Sequence, residues 1–227
     1  MRMIKNVFVP ETMLASVASL QKAQSRFPVV ARMRRYNGKT RPVPAEAKYM
    51  GVKCGIPTWE TDTDVYSISA PYKAGELVYV GESVKRICIT RTMWVEGTPV
   101  SSEDFFGWKY KSDNSIKFDD DVNLVEDEFH TLDYTEEKRW RSALTMPIEA
   151  ARRYLRVVRV EVERLQEISP ADIAREGIID RHEFAYMRFK NYWNKKFQHR
   201  AYNVKWETNP WVWKINFEID KPCEQEK

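Results

Sequence analysis

Residues 155–177 read LRVVRVEVERLQEISPADIAREG, and two periodicities meet in them. From Leu155 to Leu165 the chain alternates: Val158, Val160 and Val162 fall on one face, Arg159, Glu161 and Glu163 on the other. A period of two predicts a half-buried strand. Ser169 then stands at an N-cap position, Pro170 at the first helical position and Gly177 just past the end. That arrangement predicts a short helix.

The flanking segments extend this reading. Asp180 with Glu183 three residues later resembles a capping box for a further helix. Phe189, Trp193 and Phe197 recur every four residues, a stripe that belongs in a core. The run WVWKINFEI, residues 211–219, sets Trp211, Trp213, Ile215, Phe217 and Ile219 on one face of a closing strand. Upstream, residues 76–80 and 87–95 are rich in Val, Ile, Tyr and Thr and predict strands. Pro147 opens a short helix in PIEAARRYL, residues 147–155. Residues 11–24, ETMLASVASLQKAQ, predict a first helix capped by Thr12, with Leu14, Val17 and Ala18 on one face and Pro28 ending it. On that helix Lys22 and Ser25 project from the same side of the last turn. This order is α+β. A mixed or antiparallel sheet, curled into a small barrel with helices on its sides, accommodates it.

The chain of 227 residues, 43% hydrophobic, is read as a single domain over 1–227 with enough apolar surface for a core. No apolar run reaches about 18 residues, so no membrane partner is expected. No signal peptide is expected at the N-terminus either. Cys54, Cys88 and Cys223 are scattered and odd in number, which argues against a disulfide framework and for a reducing, cytoplasmic setting. His130, His182 and His199 have no ligand spacing, and the chain has no phosphate-loop or dinucleotide motif. Neither a metal nor a cofactor is expected.

Charge is uneven. Residues 101–137 hold 12 acidic and 3 basic residues, a local −9 that leaves +13 on the remainder. Residues 97–138, with Asp119–Asp121 in a row, predict an acidic surface insertion, partly mobile, anchored at one end by Phe105, Phe106 and Trp108. Residues 29–53 are basic, with Arg32, Arg34, Arg35, Lys39, Arg41, Lys48 and Lys53 against Glu46 alone, and are broken by Gly38, Pro42 and Pro44. They predict a loop or extended arm that is either solvated or in contact with phosphates.

Three segments carry a resemblance. YKAGELVYVGES (72–83), RWRSALTMPIEAARRYLRVVRVEVERLQEISPADIAREGI (139–178) and NPWVWKINFE (209–218) together resemble the ASCH-domain proteins of phages and prophages. In that family a GD-x-L-W-V-R-E-T strand precedes a W-R-P-S-x-x-M-P turn, a V-x-x-V-x-V-E-R-L-Q-x-I-S strand follows, and N-P-W-V-W-V-I-x-F closes the chain. The match is close over 138–219, moderate over 72–83 and slight over 84–137. The resemblance implies a PUA-like fold, a small β-barrel flanked by helices with a cleft beside the first helix. It implies RNA, a nucleotide or a modified nucleoside as partner, in the cytoplasm of a bacterial host if the chain is phage-derived.

One branch of the family is an amidohydrolase that deacetylates acetylcytidine with a lysine, a threonine and a strand-end glutamate. Its segment falls here on LQKAQSRF, residues 20–27, so that Lys22 matches the lysine, Ser25 the threonine and Glu82 the glutamate. Leu20, Gly81 and Ser142 stand where the family has glycine, often arginine, and proline. On this reading Ser25 is the nucleophile or positions a water, Glu82 takes the proton, and Lys22 stabilises the oxyanion. The competing reading is a binding module, with Lys22, Arg26, Arg32, Arg34, Arg35, Lys39 and Arg41 on phosphates and Trp59 or Tyr79 stacked on a base. A third is an interaction protein working through its acidic segment. Whether the chain is an enzyme, and its oligomeric state, stay open at this level.

Overall fold

The computed structural model describes residues 5–8, 24–32, 40–44, 46–120, 122, 124, 129–179, 182–199 and 203–220. Their β-branched and aromatic runs form strands in chain order: β1 (Lys5–Phe8), β2 (Gln24–Pro28), β3 (Val30–Arg32), β4 (Thr40–Pro42), β5 (Lys48–Lys53), β6 (Ile56–Glu60) and β7 (Val65–Ser67). Then come β8 (Leu77–Gly81), β9 (Val84–Val95), β10 (Thr98–Tyr110), β11 (Ile116–Phe118), β12 (His130–Glu136), β13 (Tyr154–Arg164) and β14 (Trp211–Asp220). Among the described residues there are two α-helices, α1 (Pro170–Arg175) and α2 (His182–Phe197). The fold is therefore β-rich α+β, with mostly antiparallel pairing. None of these helices is long and apolar enough to cross a membrane.

The chain divides into two compact units: Met1–Leu14, Leu77–Leu155 and Asp220–Lys227 in the first, Ala15–Glu76 and Arg156–Ile219 in the second. In the first unit β1 runs parallel to β8, and a four-stranded antiparallel sheet has the order β11-β10-β9-β12. β9 and β10 form a long hairpin that reverses at Glu96 and Gly97, both with positive φ (50° and 76°), the conformation a tight two-residue turn needs. Strands β10, β11 and β12 lie within the acidic segment 97–138. Composition gives little sign of strands there because both faces of the sheet meet water over much of its length, so no apolar–polar alternation marks them. Of its three aromatic anchors, Trp108 is buried and Phe106 is exposed.

Tyr79, Val84, Trp108, Tyr110, Met146, Ala150 and Ala151 make the core beside this sheet. The helix expected from Pro147 is a single 3-10 turn, Ile148–Ala150, followed by extended backbone at Ala151. Side chains take the carbonyls a helix would use. Lys117 Nζ donates to the carbonyls of Glu149 and Ala151 at 2.9 and 2.8 Å, and Tyr110 Oη donates to that of Ala150 at 2.5 Å.

In the second unit β14 lies between β13 and β2, antiparallel to β2 with Trp213 opposite Phe27 and Ile215 opposite Ser25. Strands β5, β6 and β7 make an antiparallel sheet, and β3 pairs with β4. β14 is covered on both faces: Val212 joins a core of Leu165, Ile173, Phe189, Trp193 and Phe197, while Trp213 packs edge-on to Trp59. The aromatic stripe of α2 is buried, as its spacing predicts. Ile219, expected inward with Trp213 and Ile215, is exposed where the strand runs out.

Ser169 caps α1 by accepting from the Asp172 amide at 3.1 Å, and Gly177 ends it with φ 87°. The alternation of β13 is offset at its start: Leu155 and Val157 are buried and Val158 is exposed. Val157 is pinned inward by backbone bonds with Gly75 and Glu76. The first expected helix, 11–24, lies outside the described residues except for Gln24, which begins β2. Asp180 and the Glu183 side chain also lie outside them.

Candidate functional site

Glu82 follows β8 directly, so strand pairing delivers its carboxylate to a fixed place in the first unit. The side chain is only 1% exposed, and a buried carboxylate requires partners. Four donors surround it. Arg152 makes a two-point contact, Nε to Oε1 at 2.9 Å and Nη2 to Oε2 at 2.6 Å. Ser112 donates to Oε2 at 3.1 Å. Arg153 brings Nη1 to 2.7 Å from Oε1. This last contact is close enough for an ion pair but off the line of a hydrogen bond, and it leaves Nη1 buried without a hydrogen-bond partner among the described residues.

The two arginines are neighbours in sequence, follow the extended Ala151 and both reach the same carboxylate. Arg152 is fully committed. Its guanidinium lies 3.8 Å from the centre of the Tyr110 ring, donates to Ser115 Oγ at 2.6 Å and pairs with Asp113 at 2.9 Å. Burial opposes ionisation of Asp113, but the Ser115 hydroxyl and amide and the Arg152 guanidinium outweigh it and bring that carboxyl down to about 2. Burial raises the Tyr110 phenol above its ordinary range. Arg153 is less constrained, with 24% of its side chain exposed.

Ser25 and Arg26 belong to the second unit. Ser25 lies in β2 rather than on the last turn of a helix, so the helical spacing to Lys22 does not apply to it; Lys22 lies outside the described residues. Ser25 is buried, and among the described residues its Oγ has no hydrogen-bond partner. Arg26 projects from the opposite face of β2 and is also buried. All three of its nitrogens are engaged: Nε with Glu163 at 2.6 Å, Nη1 with Glu176 at 3.1 Å and Gln24 at 3.0 Å, Nη2 with Asp172 at 3.3 Å. Lys214, opposite Arg26 on β14, donates to the same Asp172 at 2.9 Å. Arg26 is thus held by carboxylates and turned away from solvent.

Arg32 and Arg41 sit on the paired strands β3 and β4, where the backbone alone is described. Arg34, Arg35 and Lys39 lie outside the described residues. Neither proposed stacking aromatic offers a free ring face. Trp59 is enclosed by Tyr49, Trp211 and Trp213, and Tyr79 is buried with its hydroxyl donating to the Met146 carbonyl at 3.0 Å.

Sequence reading found Glu82 but missed Arg152, Arg153, Ser112 and Asp113. The available signal was the Arg152-Arg153 doublet, hidden because it was assigned to a helix. No protein-family model matches this chain, and neither a curated protein nor a solved structure matches it.

Proposed function

We propose that this chain is an ASCH-type, PUA-like protein of phage or prophage kind that binds RNA, a nucleotide or a modified nucleoside, with Arg153 as an anion contact held in place by Glu82. The observation that carries this reading is the Glu82 carboxylate itself. A carboxylate offers about four lone-pair sites, and Arg152, Arg153 and Ser112 approach it with four donors. Three of those sites accept hydrogen bonds from Arg152 and Ser112 and the Arg153 charge lies against Oε1, so the group is held as an ion and serves as an anchor for guanidinium rather than as a general base. Arg153, in contrast, is partly exposed, with 24% of its side chain open, and a guanidinium suits phosphate oxygens. The excess of +13 outside residues 101–137 supplies long-range attraction for a polyanion.

The amidohydrolase reading has less support. A serine nucleophile works through a base within hydrogen-bond reach, and the Ser25 hydroxyl has no such partner among the described residues.

Fluorescence anisotropy with a labelled single-stranded RNA, at low and at raised salt, tests the proposal, together with incubation on acetylcytidine. Saturable binding that falls steeply with salt, weakens about tenfold in Arg153→Gln and comes with no deacetylation supports it. Turnover of acetylcytidine that disappears in Glu82→Gln replaces it with the hydrolase. Absence of RNA and nucleotide binding at low salt overturns it.

A further inference from the structure

We propose that β12 is a docking edge, and that its occupant is an extended segment of a partner protein in which basic and apolar residues alternate. β12 lies at the margin of its sheet, paired to β9 without a bulge from His130↔Met93 to Glu136↔Ile87. Two backbone bonds fix the phase of that ladder: the Trp94 amide donates to the Phe129 carbonyl at 2.8 Å, and the Glu137 amide to the Arg86 carbonyl at 2.9 Å. In an antiparallel pair such bonded positions recur at every second residue. Thr131, Asp133 and Thr135 therefore turn their backbone groups to β9, while Leu132, Tyr134 and Glu136 turn theirs outward. Among the described residues no strand pairs with them.

Proteins normally guard such an edge with lysine, proline, a bulge or a very short strand. The seven residues HTLDYTE contain no Lys, Arg or Pro.

The two faces of the sheet specify what fits. On one face the rung Asp133–Thr90–Asp104 sets two carboxylates either side of a threonine. Thr90 donates to Asp104 at 2.6 Å, and among the described residues neither carboxylate has an ion-pair partner. On the other face the edge presents Leu132 and Tyr134, with Ile89 and Phe105 behind Tyr134 along its rung. On that second face Arg91 pairs with Glu103 on the Leu132 rung, and Lys109 lies over the Tyr134 ring and pairs with Glu136. An added strand would thus meet acid on one face and, on the other, the apolar edge of Leu132 and Tyr134 backed by charges that are already paired, which suits alternating cations and aliphatics. A second copy of β12 fits poorly, because its sequence HTLDYTE brings no Lys or Arg to face Asp133 and Asp104.

The test uses the full chain and a fluorescein-labelled eight-residue peptide alternating lysine and valine. Its glutamate–valine counterpart is the control. Saturable binding of the lysine peptide alone is expected. Leu132→Pro removes one outward amide and leaves both the β9 ladder and the charge unchanged, and it is expected to weaken binding at least tenfold. Asp133→Lys is expected to do the same by charge, and it decides the matter if circular dichroism finds Leu132→Pro misfolded. Equal binding by Leu132→Pro, if folded, and wild type would mean bulk charge attraction and overturns the added strand. No saturable binding by wild type also overturns it. A wild-type dimer in sedimentation that Leu132→Pro dissolves would give the edge to a second copy instead.

Discussion

Arg26 and Glu176 meet at 3.1 Å with 1% of each side chain exposed. They are the innermost pair of a network that includes Glu163, Asp172 and Lys214. Three carboxylates share Arg26 and Lys214 largely away from bulk water, with the exposed Arg175 at 3.9 Å from Asp172 as an outer cation, so each charge depends on the others. Taking the guanidinium away leaves buried carboxylates uncompensated, a change that typically costs about 3–5 kcal/mol. Arg26→Gln is expected to lose that much stability in urea unfolding. Wild-type stability in this variant would mean the carboxylates find other counter-charges.

The same network should respond to acid. Burial alone would raise the Asp172 carboxyl, but the Lys214 hydrogen bond and the Arg26 and Lys214 charges outweigh it and hold the carboxyl below its ordinary value. A carboxylate with a depressed folded pKa stabilises the fold fully above its unfolded pKa, roughly 3.9. That contribution fades as pH falls through the folded value. The denaturant midpoint is therefore expected to drop below about pH 4, and Asp172→Asn to flatten the drop. An unchanged slope in Asp172→Asn would assign the acid response to other groups.

Trp213 is 3% exposed and stands edge-on to Trp59 with ring centres 5.7 Å apart. Truncating a buried aromatic of this kind costs about 3–5 kcal/mol. Trp213→Ala is expected to fall in that range by urea or thermal unfolding. A loss under about 1 kcal/mol would show that the surrounding aromatics close over the gap.

Gly107 lies where β10 meets β11. A Cβ there would sit 2.8 Å from the Lys117 carbonyl oxygen and 3.2 Å from the Phe118 Cα, backbone atoms that cannot swing aside. Gly107→Ala is expected to cost about 1–3 kcal/mol through overpacking. Hydrogen exchange should locate the damage at residues 116–118, and undisturbed protection there would count against the close approach.

The legible parts of the fold were those governed by local rules. The cap of α1 depends on Ser169, Pro170 and Gly177 within nine residues, and the core stripe of α2 on a four-residue spacing. The runs of β8, β9 and β14 contain enough Val, Ile and aromatic residues to announce strands. Glu82 was legible as a strand-end carboxylate.

Its partners were not. Arg152 and Arg153 lie about 70 residues away, in a segment whose carbonyls accept from the side chains of Lys117 and Tyr110 where a Pro147–Leu155 helix would use them for its own amides. No local propensity encodes that competition.

By itself, then, the sequence determined the α+β class, the capped helix, the buried aromatic stripe and the uneven charge, because each follows from spacing and composition over a few residues. Tertiary structure decided which charges are spent and which remain. Arg26 was expected on phosphate and lies among carboxylates, and the acidic segment expected as an insertion carries three strands. The physical reason is the same in each case. Burying a charge or pairing a strand depends on partners far away in the chain, and the free energy of those contacts overrides the local preference.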